Sequence, residues 1–251
     1  MGNIVIIPAR YASTRFPGKL LANQTGKYLI QHVYEQVSRA PLVDAVLVAT
    51  DDERIGQACD RFGAPWQMTR SDHLSGTDRI AEVAAGLQAE IIVNVQGDEP
   101  EIDPANVDRL IELLQTDPRA DTATLAAPFE PGDDVNNPNI VKVVLDRQGH
   151  ALYFSRWPIP YQRDRDYTAA PDIYRKHIGI YAYRRQVLMR LSRMPPTPLE
   201  QAEKLEQLRI LENGLVIAVA EVKHDSVGID TPQQYAEFVR RFKQKATVEG
   251  M

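Results

Sequence analysis

The sequence predicts an α/β protein in which a mostly parallel sheet is flanked by helices and carries a β-rich insertion. Three observations lead there. Short β-branched runs alternate with helical patterns through the first half of the chain, those runs are continuously apolar, and after residue 128 the pattern becomes strand-rich without long helices. A continuously apolar strand is buried on both faces, which in a sheet requires a helix above and a helix below.

The elements follow in order. Asn3 to Ile7 reads as a buried strand, and KYLIQHVYEQVSRA then sets Leu29, Ile30, Val33 and Val37 on one helical face. AVLVAT (45–50) is a second strand, followed by a helix beginning near Asp52, where carboxylates suit the helix N-terminus. A short strand near Trp66 to Met68, a helix near Asp78 to Leu87 and the strand EIIVNV (90–95) continue the alternation. Asp103 ahead of Pro104 caps the next helix, and TATLAAP (122–128) is a further strand. VKVVLD, HALYFSR and HIGIYAYR mark the insertion at about 130–180, and Arg184 to Gly214 reads as helices returning to the core. IAVAEV is a late strand, and PQQYAEFVRRFKQ an amphipathic closing helix that starts at Pro232. Residues 1–251 together read as one domain, with the insertion as the expected dimer contact.

Composition narrows the function. With 251 residues, 43% hydrophobic and 25% charged, the chain is long enough to bury a substantial core. A formal charge of −5 argues against a general nucleic-acid binder, so any bound anion has to be met by local cations. Cys59 is the only cysteine, which excludes an intrachain disulfide and a cysteine zinc cage and fits a reducing compartment. It falls in the helical pattern DDERIGQACDRF, where a packed small apolar residue is the plain reading. No run approaches a membrane span and no leader pattern precedes the first strand, so the expectation is a cytoplasmic protein with no membrane insertion.

In parallel sheets ligands collect beyond the carboxyl ends of the strands, here the loops Pro8 to Lys19, Thr50 to Asp52 and Gln96 to Glu101. IPARYASTRFPGKLL places Arg10, Arg15 and Lys19 on the first of these, punctuated by Pro8, Pro17 and Gly18, without the glycine spacing of a Walker loop. Paired arginine donors and a compact lysine charge suit the several oxygens of a polyphosphate, although a solvated basic loop has the same spacing. NVQGDEP brings Asp98 to the same edge as a hard oxygen ligand of the kind Mg²⁺ takes when it bridges to phosphates. Asp230, just before Pro232, reads locally as an ordinary helix start. It would also complete a metal site.

MTRSDHLSGTDR offers Arg70, Ser75, Gly76 and Arg79 ahead of a helix, with groups able to meet a planar base, and His73 there has no zinc-spaced partner. Arg156, His177, Tyr181, Glu206 and Gln207 add polar groups to apolar runs later on, as surface or interface residues or as the lining of a pocket for a polar acid. No Ser-His-Asp motif, nucleophile elbow or zinc-protease helix is present, and no G-x-G-x-x-G follows the first strand.

Taken together, IPARYASTRFPGKLL, VATDD, MTRSDHLSGTDR, IVNVQGDEPEI, ALYFSRWPIPY, HIGIYAYR, AEKLEQLRILENG and GIDTP resemble the CMP-Kdo synthetases, the 3-deoxy-manno-octulosonate (Kdo) cytidylyltransferases, over nearly the whole chain. The resemblance implies a nucleotide-diphospho-sugar transferase-like, Rossmann-like fold, a homodimer, and the reaction of CTP with Kdo to give CMP-Kdo and pyrophosphate for lipopolysaccharide, with Mg²⁺ as cofactor. It assigns Arg10, Arg15 and Lys19 to the triphosphate, and Ala9, Arg70, Ser75, Gly76 and Gln96 to the cytidine side. It assigns Asp98 and Asp230 to the metal, making Arg10, Lys19, Asp98 and Asp230 the candidate catalytic set. Arg79, Arg156, His177, Tyr181, Glu206 and Gln207 match its sugar-acid pocket. A different acid, such as 8-amino-Kdo or a sialic acid, and a silent nucleotide-binding protein on the same fold remain as rival readings. Two carboxylates kept together with three loop cations favour the enzyme.

Overall fold

A computed structural model describes residues 2–130, 132–163, 173–223 and 228–249. In chain order the first elements are β1 (Gly2–Ala9), a 3-10 turn (Lys19–Leu21), α1 (Leu29–Val37), β2 (Ala45–Thr50), α2 (Glu53–Phe62), β3 (Trp66–Met68), α3 (Gly76–Ala85) and β4 (Ala89–Asn94). There follow α4 (Pro104–Thr116), β5 (Thr122–Pro128), β6 (Lys142–Leu145), β7 (Ala151–Ser155), β8 (Arg175–Arg184), α5 (Arg185–Leu191), α6 (Pro198–Glu203), α7 (Gln207–Glu212), β9 (Ile217–Glu221) and α8 (Pro232–Glu249). The fold is α/β with a mostly parallel sheet flanked by helices, as the sequence predicts. Among the described residues no helix is long and apolar enough to cross a membrane.

The chain forms two compact units. The first comprises Met1–Ala89, Asn94–Val107 and Ser226–Met251. Its strands run parallel in the order β3-β2-β1, with Ile7 opposite Val48 and Val48 opposite Trp66. Val5, Ile6 and Ile7 have no exposed surface, because α1 and α3 leave neither face of the strand open. On α1 the stripe Leu29, Ile30, Val33 and Val37 is fully buried, worth about 1.5–3 kcal/mol for each large side chain. Asp52 caps α2 by accepting from the Arg54 N–H at 2.9 Å, and Gly63 ends it at φ 76°. A Cβ at Gly56 would come within 2.6 Å of the Trp66 ring, so this glycine lets α2 lie against β3. Cys59 is buried and its thiol is pushed up to about 12, chiefly by burial, which leaves it unreactive.

Element boundaries differ from the sequence expectation by a residue or two, and the start of α3 shows why. α3 begins at Gly76, two residues before Asp78, because the Ser75 hydroxyl accepts from the Asp78 N–H at 3.1 Å and so takes the capping position. Asp78 falls inside the first turn instead, where its charge complements the helix dipole.

The second unit comprises Glu90–Val93 and Asp108–Asp225. Its strand order is β4-β8-β5-β9, with β5 parallel to β9 and antiparallel to β8. β6 pairs with β7 and with the start of β8, and residues 131 and 164–172 of the predicted insertion lie outside the described residues. The β5–β8 register shifts between Thr124 and Leu125, and the Thr124 hydroxyl donates to this irregular stretch, 2.8 Å from the Ile180 carbonyl and 3.1 Å from that of Ile178. Helices α5, α6 and α7 fill the span Arg184 to Gly214, and α5 and α7 bury Leu188, Leu191, Leu208 and Ile210.

Candidate active site

Lys19 is the hub of the first unit's strand-end loops. Gly18, at φ 68°, turns the chain into the 3-10 turn and donates its N–H to the Tyr11 carbonyl at 3.1 Å, a left-handed position that favours glycine. From there the Lys19 ammonium donates to Asp98 Oδ2, to Asp230 Oδ1 at 2.9 Å and to the Ile229 carbonyl at 2.9 Å. Arg15 Nη2 reaches the other Asp230 oxygen at 2.8 Å. Burial draws the Lys19 pKa down, but its bonds and charge interactions with Asp98 and Asp230 outweigh this and hold it above the ordinary lysine range.

Backbone pairing explains how residues so distant in sequence meet. The Val95 N–H donates to the Ile6 carbonyl at 3.4 Å, which lays the exit of β4 beside β1, and the Ile229 N–H donates to the Asp98 carbonyl at 2.9 Å. A Cβ at Gly97 would stand 3.2 Å from the Pro8 carbonyl oxygen. Glycine at 97 is therefore what permits the Asp98 loop to pass so close to the first loop. Asp230 is not needed as a helix cap, since Thr231 accepts from the Gln234 N–H at 3.2 Å and Gln234 Oε1 accepts from the N–H groups of Asp230 and Thr231 at 2.9 and 3.0 Å. Asp98 is free in the same way, because Asp103 caps α4 through the Ala105 N–H at 2.9 Å.

Among the described residues no group of three or more His, Cys, Asp and Glu side chains is placed to hold a metal ion. Asp98 and Asp230 do converge on one ammonium, so a single small cation already bridges them. Two hard carboxylates are also what Mg²⁺ takes from protein when waters and phosphate oxygens fill the rest of its octahedron, so the donor set fits that ion.

The other predicted residues of this unit surround the same strand ends. Ala9 is fully buried at the end of β1, Arg10 and Gln96 are half-buried, and Arg70 is exposed, with Asp72 and Glu82 near its guanidinium at 3.4 and 3.5 Å. A Cβ at Gly76 would meet the Pro8 ring at 3.3 Å, which brings the start of α3 against the first loop. Arg79 behaves differently from a surface-facing pocket residue: it has no exposed area, its Nη2 holds Asp51 Oδ2 at 2.6 Å and its Nη1 donates to Thr69 Oγ1. The Asp51–Arg79 pair was not singled out from sequence; the only signal was two adjacent acids, Asp51 and Asp52, at the end of a strand. Tyr11 was also missed, and Arg54 lies over its ring at 3.3 Å from the centroid.

Five predicted residues belong to the second unit. Arg156 spends its guanidinium on backbone carbonyls, those of Glu203 at 2.7 Å, Pro138 at 2.9 Å and Lys204 at 3.3 Å. His177 Nε2 lies 3.0 Å from both Thr124 Oγ1 and the Tyr181 hydroxyl, and burial pushes its pKa down to about 3. Burial first, and then the charges of Tyr183 and Glu206, push the Tyr181 phenol well above its ordinary value. A neutral imidazole bonded to a neutral phenol can orient a polyhydroxylated ligand without adding charge. Glu206 is the N-cap residue of α7, and Gln207, in its first turn, is buried.

A parallel α/β sheet whose strand-end loops gather arginines, a lysine and a carboxylate pair has the features of a nucleotidyltransferase. Residues 4–222 match the family model described as cytidylyltransferase. The chain is 51% identical over 250 residues to a 3-deoxy-manno-octulosonate cytidylyltransferase of Geobacter sulfurreducens, covering 97% of this chain and 100% of that protein. It is 50% identical over 246 residues to the protein so named from Solibacter usitatus, covering 98% and 96% of the two chains. A solved CMP:2-keto-3-deoxy-manno-octonic acid synthetase complexed with CTP superposes with a TM-score of 0.91 at 44% identity, over 98% of this chain and 100% of that one. A cytidylyltransferase of Leptospira borgpetersenii, at 17% identity and a TM-score of 0.63 over 95% and 85% of the two chains, shares the fold. The chain belongs to the cytidylyltransferase family, among the 3-deoxy-manno-octulosonate cytidylyltransferases.

Proposed function

We propose that this chain transfers the cytidylyl group of CTP to Kdo, giving CMP-Kdo and pyrophosphate, and that it needs Mg²⁺. The observation that carries the reading is the convergence of Asp98, Asp230 and Arg15 on Lys19 at the strand ends. This joins anion-binding and cation-binding groups in one network, as a triphosphate and its counter-ion require.

In the reaction the anomeric hydroxyl oxygen of Kdo attacks the α-phosphorus of CTP. A phosphorus–oxygen bond forms to the sugar, the bond from the α-phosphorus to the oxygen that bridges to the β-phosphate breaks and its electron pair leaves with pyrophosphate, and the hydroxyl proton passes to solvent. Arg10, Arg15 and Lys19 offset the charge that collects on the departing pyrophosphate. Held by Asp98 and Asp230, Mg²⁺ would supply Lewis-acid charge at the phosphoryl oxygens. Ala9, Arg70, Ser75, Gly76 and Gln96 line the cytidine side. Arg79, clamped by Asp51, fixes the loop that carries Arg70 and Ser75, while Arg156, His177, Tyr181, Glu206 and Gln207 receive the sugar acid.

The same reading makes the protein a cytoplasmic homodimer that supplies activated Kdo for lipopolysaccharide. Support for the dimer comes from Leu152, Trp157, Tyr161 and Ile173, large apolar side chains that are 62%, 75%, 74% and 53% exposed around the predicted insertion. Covering them with a second copy removes that surface from water. A monomer by light scattering at working concentration would exclude the dimer.

The enzymatic test is pyrophosphate release with CTP, Mg²⁺ and Kdo, beside N-acetylneuraminic acid, 8-amino-Kdo and an EDTA control. Metal-dependent release with Kdo is the expected result. Release with another acid alone would overturn the sugar, and no release with any acid would overturn the enzyme.

A further inference from the structure

Lys142 has no exposed surface, yet it carries an ammonium that makes no ion pair among the described residues. Its three donors go to backbone carbonyls, those of Arg156 at 2.6 Å, Ile140 at 2.7 Å and Asn137 at 3.1 Å. Burying a charge is costly unless its bonds are filled, and here all three are.

Glu203 completes the cluster. One carboxylate oxygen accepts from the Ser155 hydroxyl at 2.6 Å and the other from the Arg156 N–H at 2.9 Å, while the Glu203 carbonyl takes Arg156 Nε. The next residue, Lys204, is in the left-handed region at φ 54°, a conformation that is unfavourable for a non-glycine residue. It ends α6 there and turns the chain toward Glu206 and Gln207 at the start of α7. An ion pair between Arg209 and Glu200, 2.5 and 2.8 Å, locks the two helices to one another.

The strand register gives the cluster its reach. Lys142 is the residue of β6 that stands opposite both Ser155 of β7 and Lys176 of β8, and the His177 N–H donates to the Val141 carbonyl at 2.8 Å. Three strands and the α6–α7 turn therefore meet around two side chains. The elements that meet there carry Arg156, His177, Glu206 and Gln207.

We propose that Lys142 and Glu203 are positioning residues for acid recognition: they clamp the exit of β7, the start of β8 and the α6–α7 turn into one arrangement, without contacting the acid themselves. The proposal rests on the reading of Arg156, His177, Glu206 and Gln207 as the sugar-acid residues.

The test uses the full-length protein with Lys142→Met, Lys142→Ala and Glu203→Gln, in steady-state assays that vary the acid and CTP separately. The expected result is a KM for the acid raised about tenfold or more, since small misplacements of binding groups weaken substrate use, with the KM for CTP unchanged. Added n-propylammonium, which can refill the space left in Lys142→Ala and donate to the same three carbonyls, is expected to restore the acid KM. A variant that loses stability while the acid KM stays at the wild-type value overturns the proposal, as does an equal rise in both KM values or absence of amine rescue. If Lys142→Ala does not fold, Glu203→Gln decides by the same split. Should the wild type prefer an acid other than Kdo, the Kdo reading fails while the clamp is tested on the preferred acid. If no acid is turned over, the pocket assignment and the proposal resting on it both fall.

Discussion

Lys19 and Asp98 stand 79 positions apart in sequence and share a hydrogen-bonded ion pair, with the Lys19 side chain 11% exposed and that of Asp98 26%. Pairing between the first strand and the exit of the fourth brings them together, and Asp230 joins from the segment before the last helix. The predictions below start from this network.

Asp98→Ala removes one of the two carboxylates while Lys19 keeps Asp230 and the Ile229 carbonyl. Turnover is expected to fall by about 10²–10³, the usual scale for losing one preorganised charge-stabilising group. The far-ultraviolet circular dichroism spectrum should stay that of the wild type. Normal turnover of Asp98→Ala at saturating Mg²⁺ would remove Asp98 from the chemistry.

Thr231 and Asp230 are neighbours with separable roles, because Thr231 caps α8 and Asp230 faces the cations. Thr231→Ala should lower stability by about 1 kcal/mol, as the loss of an N-cap does, and leave turnover intact. Asp230→Asn should do the reverse. Urea unfolding and a pyrophosphate assay on both variants check the separation.

Asp51 is the carboxylate partner of the fully buried Arg79 guanidinium. Asp51→Ala leaves that charge without its counter-ion and is expected to cost about 3–5 kcal/mol, measured by urea unfolding. Replacing both residues, with Asp51→Ala and Arg79→Met together, should recover part of the loss. A double variant less stable than Asp51→Ala would show that the pair is not the source.

His177 gives a pH prediction. Its folded pKa of about 3 lies below the ordinary histidine value of 6.5, so between these values the unfolded chain binds a proton that the folded chain does not. Its contribution to stability is therefore present above pH 6.5 and lost as the pH falls toward 3. His177→Gln should flatten the decline of stability over this interval, as read by urea unfolding at a series of pH values. In the wild type, the His177 ring signal in proton nuclear magnetic resonance should stay in its neutral position at pH 5.

Much of the fold could be read from sequence because the signal is local. AVLVAT and TATLAAP match β2 and β5, which are mostly buried and rich in apolar residues, while the short stretch at Trp66 matches β3, a half-buried to exposed strand at the end of the strand order. The helix read near Asp78 begins at Gly76, because the start of a helix depends on which side chain receives an N–H, here that of Ser75. Arg79 reads as a pocket residue from its motif, yet the structure buries it on Asp51. The sequence does not single out Lys142 within VKVVLD, because which carbonyls surround an ammonium depends on strands that meet far apart in sequence.

By itself the sequence determined the α/β alternation, the loops that bear chemistry, and the three cations and two carboxylates placed on them. These follow from periodicity and residue type, which are properties of short stretches of chain. Only the tertiary structure decided that Asp230 faces Lys19 rather than capping α8, and that Arg79 and Lys142 are interior charges. The physical reason is that a side chain's role is set by the partner that fills its hydrogen bonds, and here those partners arrive through strand pairing and long-range backbone contacts.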